Sequence, residues 1–456
     1  MSVETIGIIL AAGKGTRMKS SLPKVLHPLL GQPMLHYALQ AMHEATGQKP
    51  VVVVGHEAER VRAVFAEQAE FAEQSPPLGT GDAVRAAQTA VPAGVRWVLV
   101  SNGDMPLLRA DTFRRLLAAQ QRHKGPITML TAVMDPPRDY GRVLRFPDGR
   151  VEAIVEVAHA TEEQRRIPEL NVGAYCFDAA WLWQALPRLP LSPKGEYYLT
   201  DLVGLAVAEG LSVQALTLED PAEALGINTR IHLAEVTAAM QRRVNENLMA
   251  AGVTLIDPAR TYVEPSVQVG QDTVIWPDCY LLGHTVVGEG CEIGPNAYLR
   301  DTQVGNHCRI FASVLEYAVV EDHVDIGPFG HLRKGAHLAE GVHMGNFGEV
   351  KNSYLGRGVK MGHFSYIGDA TIAEEVNIGA GTITCNYDGE RKHPTKIGAH
   401  AFIGSDTMLV APLEIGEGAR TGAGAVVTKD VPPYSLAVGV PARVIRKLQP
   451  PTEAKK

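Results

Sequence analysis

The chain has 456 residues, 45% of them hydrophobic, and a formal charge of −7 at neutral pH. That length exceeds what one core holds and predicts two or three domains. The acidic balance offers no basic field to a nucleic acid, and no apolar run approaches the ~20 residues that cross a bilayer, so neither nucleic acid nor membrane is an expected partner. The first thirteen residues lack a basic n-region and include Glu4, which argues against a signal peptide. Five cysteines form no C-x-x-C pair and read as free thiols in a reducing compartment, so the expected location is the cytoplasm.

In chain order, the first element is a strand over Ile6–Leu10, which runs into Ala11-Ala12-Gly13-Lys14-Gly15-Thr16-Arg17-Met18. Two glycines let backbone N–H groups approach a polyphosphate, while Lys14, Arg17 and Lys24 supply positive charge. The spacing is neither G-x-G-x-x-G nor a P-loop, which disfavours dinucleotide binding and standard ATPase chemistry. A helical pattern over Met34–Ala45, an apolar run at Val51–Val54, a second at Val98–Val100 and a helical pattern over Thr112–Gln121 follow. Continuous apolar strands alternating with helices predict an α/β, Rossmann-like sheet buried on both faces, with ligands at the carboxyl ends of its strands. The second of those runs delivers Asp104 to such an end, where a divalent cation can bridge protein and phosphate. This domain is expected over 1–228, followed by a connecting helix over 229–251 that contains neither Pro nor Gly.

From Val269 the sequence counts in sixes. Val269, Ile275, Leu281, Val287, Ile293 and Leu299 keep an unbroken step, which resumes at Val320, Leu355 and Ile397 after short slips. The residue after each aliphatic is usually Gly, and the fourth after is usually small, as at Cys279, Cys291, Ala297 and Cys308. Such hexads predict a parallel β-helix over 252–456, of eight to ten coils at ~4.8 Å each. The Pro- and Lys-bearing tail after Arg443 is expected to fray. His363 stands two residues beyond the inward-facing Met361 and so should point outward, where a neutral imidazole can accept a proton near pH 7. The hexads break between Gly381 and Ile397, and interruptions of a solenoid map to loops on a binding face.

Leu10–Met18, Leu22-Pro23-Lys24, Leu78-Gly79-Thr80-Gly81 and Asn102-Gly103-Asp104, in that order, resemble the sugar-nucleotidyltransferase family. With the hexads behind them, the chain resembles the bifunctional N-acetylglucosamine-1-phosphate uridylyltransferase/glucosamine-1-phosphate N-acetyltransferase family from about Ile6 to Arg443. That resemblance implies a left-handed coil, a homotrimer, the substrates UTP, N-acetylglucosamine-1-phosphate and glucosamine-1-phosphate, acetyl-CoA as co-substrate and Mg²⁺ as cofactor. Its uridine and sugar contacts fall on Leu10, Ala12, Gly13, Gln74, Gly79, Thr80, Gly141, Glu156 and Asn171, its catalytic cations on Arg17 and Lys24, and its Mg²⁺ ligands on Asp104 and Asn228. Its acetyl-transfer base falls on His363, and its sugar-phosphate clamp on Arg333, Lys351, Tyr366, Asn377 and Lys392. Its acetyl-CoA contacts fall on Ala380, Asn386, Tyr387, Ser405 and Ala423. The chain departs from the pattern at Val157-Ala158, where relatives carry polar or basic residues, and at Asn352, where a second lysine is common. Gly439 replaces a basic coenzyme contact, for which Arg443, Arg446 or Lys447 is the expected substitute. The competing reading is a single-activity sugar-1-phosphate nucleotidyltransferase whose β-helix is structural only. The pairing of His363 with Lys392 argues against it.

Overall fold

The computed structural model describes residues 3–450. The chain divides into two compact units, Met1–Met240 and Gln241–Lys456. In the first, a nine-stranded sheet is built from β1 (Thr5–Leu10), β2 (Val51–Val54), β3 (Glu70–Glu73), β4 (Trp97–Asn102), β5 (Ile127–Val133), β6 (Arg142–Arg145), β7 (Val151–Val155), β8 (Glu169–Asp178) and β9 (Val213–Thr217). The path runs β9-β5-β8-β4-β1-β2-β3, with β6 and β7 as a hairpin against β8. β1, β2, β3 and β4 pair in parallel and β8 runs antiparallel to β4 and β5.

The unbroken apolar runs have a simple cause. Successive side chains of a strand point to opposite faces, and both faces of this sheet are covered. Ile9, Val52 and Val54 join the core under helices α1 (Met34–Thr46) and α3 (Ala110–Arg122), whereas Ile6, Ile8, Val51 and Val53 join the core under α2 (Thr80–Ala87). Helix α4 spans Arg230–Ala250, or ~31 Å at helical rise. Its Val236 and Met240 pack with Met18, Met34 and Leu107.

The second unit is a parallel β-helix whose three faces carry 12, 10 and 9 strands. Along one face Ile275, Ile293, Ile310, Ile326, Met344, Met361, Ile378 and Ile403 lie in register, each above the last. They form one continuous interior column, and each is buried. Removing such a side chain from water is worth ~1.5–3 kcal/mol. The small inward slots hold buried threonines as well as cysteines, and the hydroxyls of Thr273, Thr285 and Thr407 donate to the carbonyls of Gly288, Leu282 and Gly404. These buried hydroxyls are thereby paired without leaving the prism, whereas that of Thr395 has no partner among the described residues.

The excursion in the coil is narrower than the hexads suggest. Ile383–Cys385 still forms a strand, so only residues 386–394 leave the wall before Thr395–Ile397 resumes it. The expected fraying after Arg443 is also corrected: Ala442–Lys447 pairs antiparallel with Ser435–Gly439, because a tight reversal at Val440-Pro441 folds the chain back onto the last rung. Residues 451–456 of that tail lie outside the described residues. All five cysteines are free thiols, four of them buried. Among the described residues no helix is long and apolar enough to cross a membrane.

Candidate active sites

In the α/β unit, β1 and β4 are parallel neighbours with Leu10 opposite Asn102, so the glycine loop and Asp104 leave adjacent strands at the same carboxyl edge. Val54 lies opposite Glu73, which puts Gln74 on that edge too. A cavity of about 480 Å³ opens there, lined by Leu10, Ala12, Gly13, Arg17, Lys24, Gln74, Gly79, Thr80 and Asp104 among others. A second cavity of about 200 Å³ shares Leu10, Thr80, Asn102 and Asp104 with it and adds Gly141, Glu156, Asn171 and Asn228. Every residue that the resemblance assigns to this unit lines one or both, whereas Lys14 of the glycine loop lines neither.

Local geometry explains how each is held. Gly79 has φ 100°, and a Cβ there would sit 2.5 Å from the Tyr197 carbonyl oxygen, so only glycine lets the start of α2 approach that backbone. The Gln74 amide donates both hydrogens within the protein, to the Gly79 carbonyl at 2.9 Å and to Asp82 Oδ2 at 2.8 Å, which leaves its carbonyl oxygen for a ligand. The register of β8 slips between Asn171 and Tyr175, and this bulge turns Asn171 toward the cavity while the Tyr175 hydroxyl bonds its amide at 2.7 Å. Burial raises the Glu156 carboxyl above its ordinary value, partly offset by a 3.0 Å hydrogen bond from Thr200. The Tyr140 hydroxyl donates to the Ala224 carbonyl and accepts from the Gly226 amide, both at 3.0 Å, and so pins the loop that carries Asn228.

Two acceptor oxygens converge at the junction of the cavities. The Lys24 ammonium contacts Asp104 Oδ2 and lies 3.2 Å from Asn228 Oδ1, which also accepts from Arg17 at 2.9 Å. A carboxylate and an amide oxygen already sharing one cation are a hard-oxygen donor pair, suited to a magnesium ion completed by phosphate and water. Among the described residues no cluster of three or more acidic, His or Cys side chains offers a complete protein cage.

On the β-helix, Met361, Ile378 and Ile403 stand in register, so the residues two further on, His363, Ala380 and Ser405, occupy the same corner of successive coils. Ala423 follows in the next coil, since Phe402 pairs with Arg420. At ~4.8 Å per coil this column is ~14 Å long, an extended track for a flexible thioester arm. His363 is exposed, as an outward position requires. Arg333, Lys351 and Lys392 gather on the neighbouring face. The Lys351 amine is held below its usual value, chiefly by the charge of Lys392, then by Arg333 and by a hydrogen bond with Lys392. Arg333 is partly neutralised by Glu349 at 3.0 Å. Tyr366 lies in register above Glu349, its hydroxyl end turned back over Gly368, beside the Asn386 amide. Asn377 projects from a strand facing Lys360 and Phe402. The 386–394 excursion is shaped by Asp388, which accepts from the Glu390 and Arg391 amides at 2.8 and 2.7 Å and meets His393 at 2.6 Å. These bonds hold its carboxyl far below the usual range and close a bridge between Tyr387 and Lys392.

Comparison with known proteins matches both halves. The MobA-like NTP transferase domain model matches residues 7–171, and the bacterial transferase hexapeptide model, of six repeats, matches 266–301 and 394–429. "Bifunctional protein GlmU" of Heliobacterium modesticaldum is 48% identical over 94% of each chain. The proteins of that name from Trichlorobacter lovleyi and Carboxydothermus hydrogenoformans are 47% and 45% identical, over 94–95% of this chain and 95–97% of theirs. The chain belongs to the bifunctional GlmU family. It is therefore a bifunctional transferase, and its coil is the left-handed β-helix of the hexapeptide transferases.

The structure also brings to the candidate sites residues that the sequence patterns left unnoticed. Tyr140, Thr200 and Tyr175 hold Asn228, Glu156 and Asn171, and Asp388 shapes the loop of Lys392. Asp369 accepts from Asn386 at 2.5 Å and from Asn352 at 2.6 Å. Asn352, the departure from the family pattern beside Lys351, thus forms a rung-to-rung bond. Arg443, Arg446 and Lys447 stand exposed on the last strand.

Proposed function

We propose that this protein makes UDP-N-acetylglucosamine in two steps, each in its own unit. In the β-helix, His363 accepts a proton from the amine of glucosamine-1-phosphate, and the amine nitrogen attacks the thioester carbon of acetyl-CoA. The C–S bond breaks and coenzyme A leaves as the thiol, its sulfur taking up the proton that His363 had accepted. Backbone N–H groups near Ala380, with Ser405, are the candidate stabilisers of the oxyanion. Arg333, Lys351 and Lys392 hold the sugar phosphate, Tyr366 and Asn377 border the sugar, and Asn386, Tyr387 and Ala423 border the coenzyme. The observation that carries this reading is the clustering of three cations on one face of the coil, with an exposed imidazole at the corner that leads into that face and heads a straight column of small residues.

In the α/β unit, a phosphate oxygen of N-acetylglucosamine-1-phosphate attacks the α-phosphorus of UTP, and the bond to the β-phosphate breaks to release pyrophosphate. The free Gln74 carbonyl oxygen suits the N3–H of uracil, a donor that cytosine lacks. Gly13 and Arg17 face the phosphates, and Glu156, Asn171 and Gly141 line the cavity for the sugar. Asp104 and Asn228 are the residues that would hold Mg²⁺, which when bound neutralises phosphate charge as pyrophosphate departs. Lys24, at the same junction, is the group placed to meet the nucleotide phosphates.

A homotrimer is supported by an exposed aromatic column, Phe329, Phe347 and Phe364, each more than half exposed and aligned on successive coils. Free buried thiols and the coenzyme and nucleotide substrates support a cytoplasmic location. Assaying the half-reactions separately tests the assignments: Asp104→Ala should remove uridylyl transfer alone, and His363→Ala acetyl transfer alone. Faster nucleotide-sugar formation from GTP or dTTP than from UTP would overturn the uracil assignment.

A further inference from the structure

We propose that Asn346 is the positioning residue of the acetyl-transfer base, fixing His363 in the tautomer that leaves Nε2 free to take the proton. The inference rests on the assignment of His363 as base. Met344 pairs with Met361, so Asn346 occupies the coil before His363 at the same corner. These corners nest closely: the Gly345 amide donates to the Met361 carbonyl at 2.9 Å, and a Cβ on Gly345 would stand 1.9 Å from the Gly362 carbonyl oxygen. With no side chain at that point, the two corner side chains stand one rung apart, and Asn346 Oδ1 lies 3.2 Å from His363 Nδ1.

An amide oxygen only accepts a hydrogen bond, so a neutral ring bonded to it carries its hydrogen on Nδ1. The lone pair then sits on Nε2, at the exposed end of the ring, which makes no hydrogen bond among the described residues. The opposite tautomer would aim its lone pair at Asn346 and present N–H to the amine, a group that cannot act as a base. Glu349, on the strand paired with Ser365–Gly368, is engaged with Arg333. An amide therefore orients this imidazole, where many catalytic histidines lean on a carboxylate. It fixes direction without adding negative charge next to a site that gathers cations for a phosphate.

The test uses the full-length protein with ¹⁵N-labelled histidine, the His363 signals being found by difference against His363→Gln. Above its titration, Nδ1 of His363 should be pyrrole-like and Nε2 pyridine-like, and the reverse assignment overturns the proposal. Asn346→Ala should lower kcat of acetyl transfer about tenfold or more, as loss of a ligand-orienting partner typically does. KM for glucosamine-1-phosphate and the uridylyl half-reaction should stay unchanged. Asn346→Asp keeps an acceptor at Nδ1 and should retain the tautomer and most of the rate. Equal loss in both variants, or a rate within twofold of the parent in Asn346→Ala, overturns the role of Asn346. Acetyl transfer surviving in His363→Ala overturns the base assignment beneath it, which separates the two failures.

Discussion

Gln74 is 4% exposed and Asn171 9%, each fixed by bonds to its own walls, whereas His363, Lys392 and Tyr387 of the other unit stand in the open. The α/β unit makes a concavity where parallel strands end, and loops of very different sequence position meet there. Burial does the orienting: the walls take up both amide hydrogens of Gln74, leaving its one acceptor, and they raise the Glu156 carboxyl. The β-helix carries its candidate site on outward side chains. It orients by register, since each coil repeats the corner of the last and side chains 17 or so residues apart line up. A buried site tolerates exchange of one loop but not of its packing. A site built on register tolerates surface change but not a slip of one residue in the coil.

This contrast can be broken most severely at the two chemical residues. His363→Ala should lower acetyl transfer ~10³-fold, within the span of general-base catalysis, with uridylyl transfer intact; Asp104→Ala should do the converse, and coupled half-reaction assays read both. Gly345→Ala comes next. Its Cβ would collide with the Gly362 carbonyl, so acetyl transfer should fall ~10²-fold as the corners part, with His363 itself unaltered; a parent-like rate would show that register matters less than supposed.

Lys392→Met should raise KM for glucosamine-1-phosphate about tenfold, the effect of losing one charge-assisted contact. It also carries a pH signature. Lys392 and Arg333 hold the Lys351 amine below its ordinary value, so Lys351 sheds its proton early as pH rises and sugar-phosphate affinity falls with it. Removing Lys392 should move that alkaline limb to higher pH. An unmoved limb in a KM–pH profile would mean that the limb belongs to another group.

Smaller effects are expected from wall residues of the α/β cavity. Tyr140→Phe removes the hydroxyl that pins the Asn228 loop and should lower uridylyl transfer roughly fivefold, corresponding to about one hydrogen bond, while acetyl transfer is unaffected. Glu156→Gln should slightly raise the melting temperature at neutral pH. Burial raises this carboxyl, so above the usual glutamate range the folded state binds more protons than the unfolded chain, and stability falls as pH climbs through that window. The variant should lose that slope in a series of melts across pH.

Local sequence carried the backbone of both units. Two-sided apolar runs require a covered parallel sheet, and an aliphatic every sixth residue requires a coil of flat faces, because each pattern can be buried in only one way. It also carried the glycine loop, Asp104 and the outward set of His363, since these follow from strand ends and from parity along a strand. The hexads could not show where the coil truly opens, because Ile383–Cys385 satisfies the wall as strand and only hydrogen bonding around Asp388 marks the excursion. Nor could they show that the last strand folds back, which needed the pairing of Ser435–Gly439 with Ala442–Lys447. The supporting partners, Tyr140 for Asn228, Thr200 for Glu156 and Asn346 for His363, were beyond reach for a common reason. Each pair is separated along the chain and joined only by folding, and a hydrogen bond of about 3 Å depends on directions in space that no spacing in the sequence records.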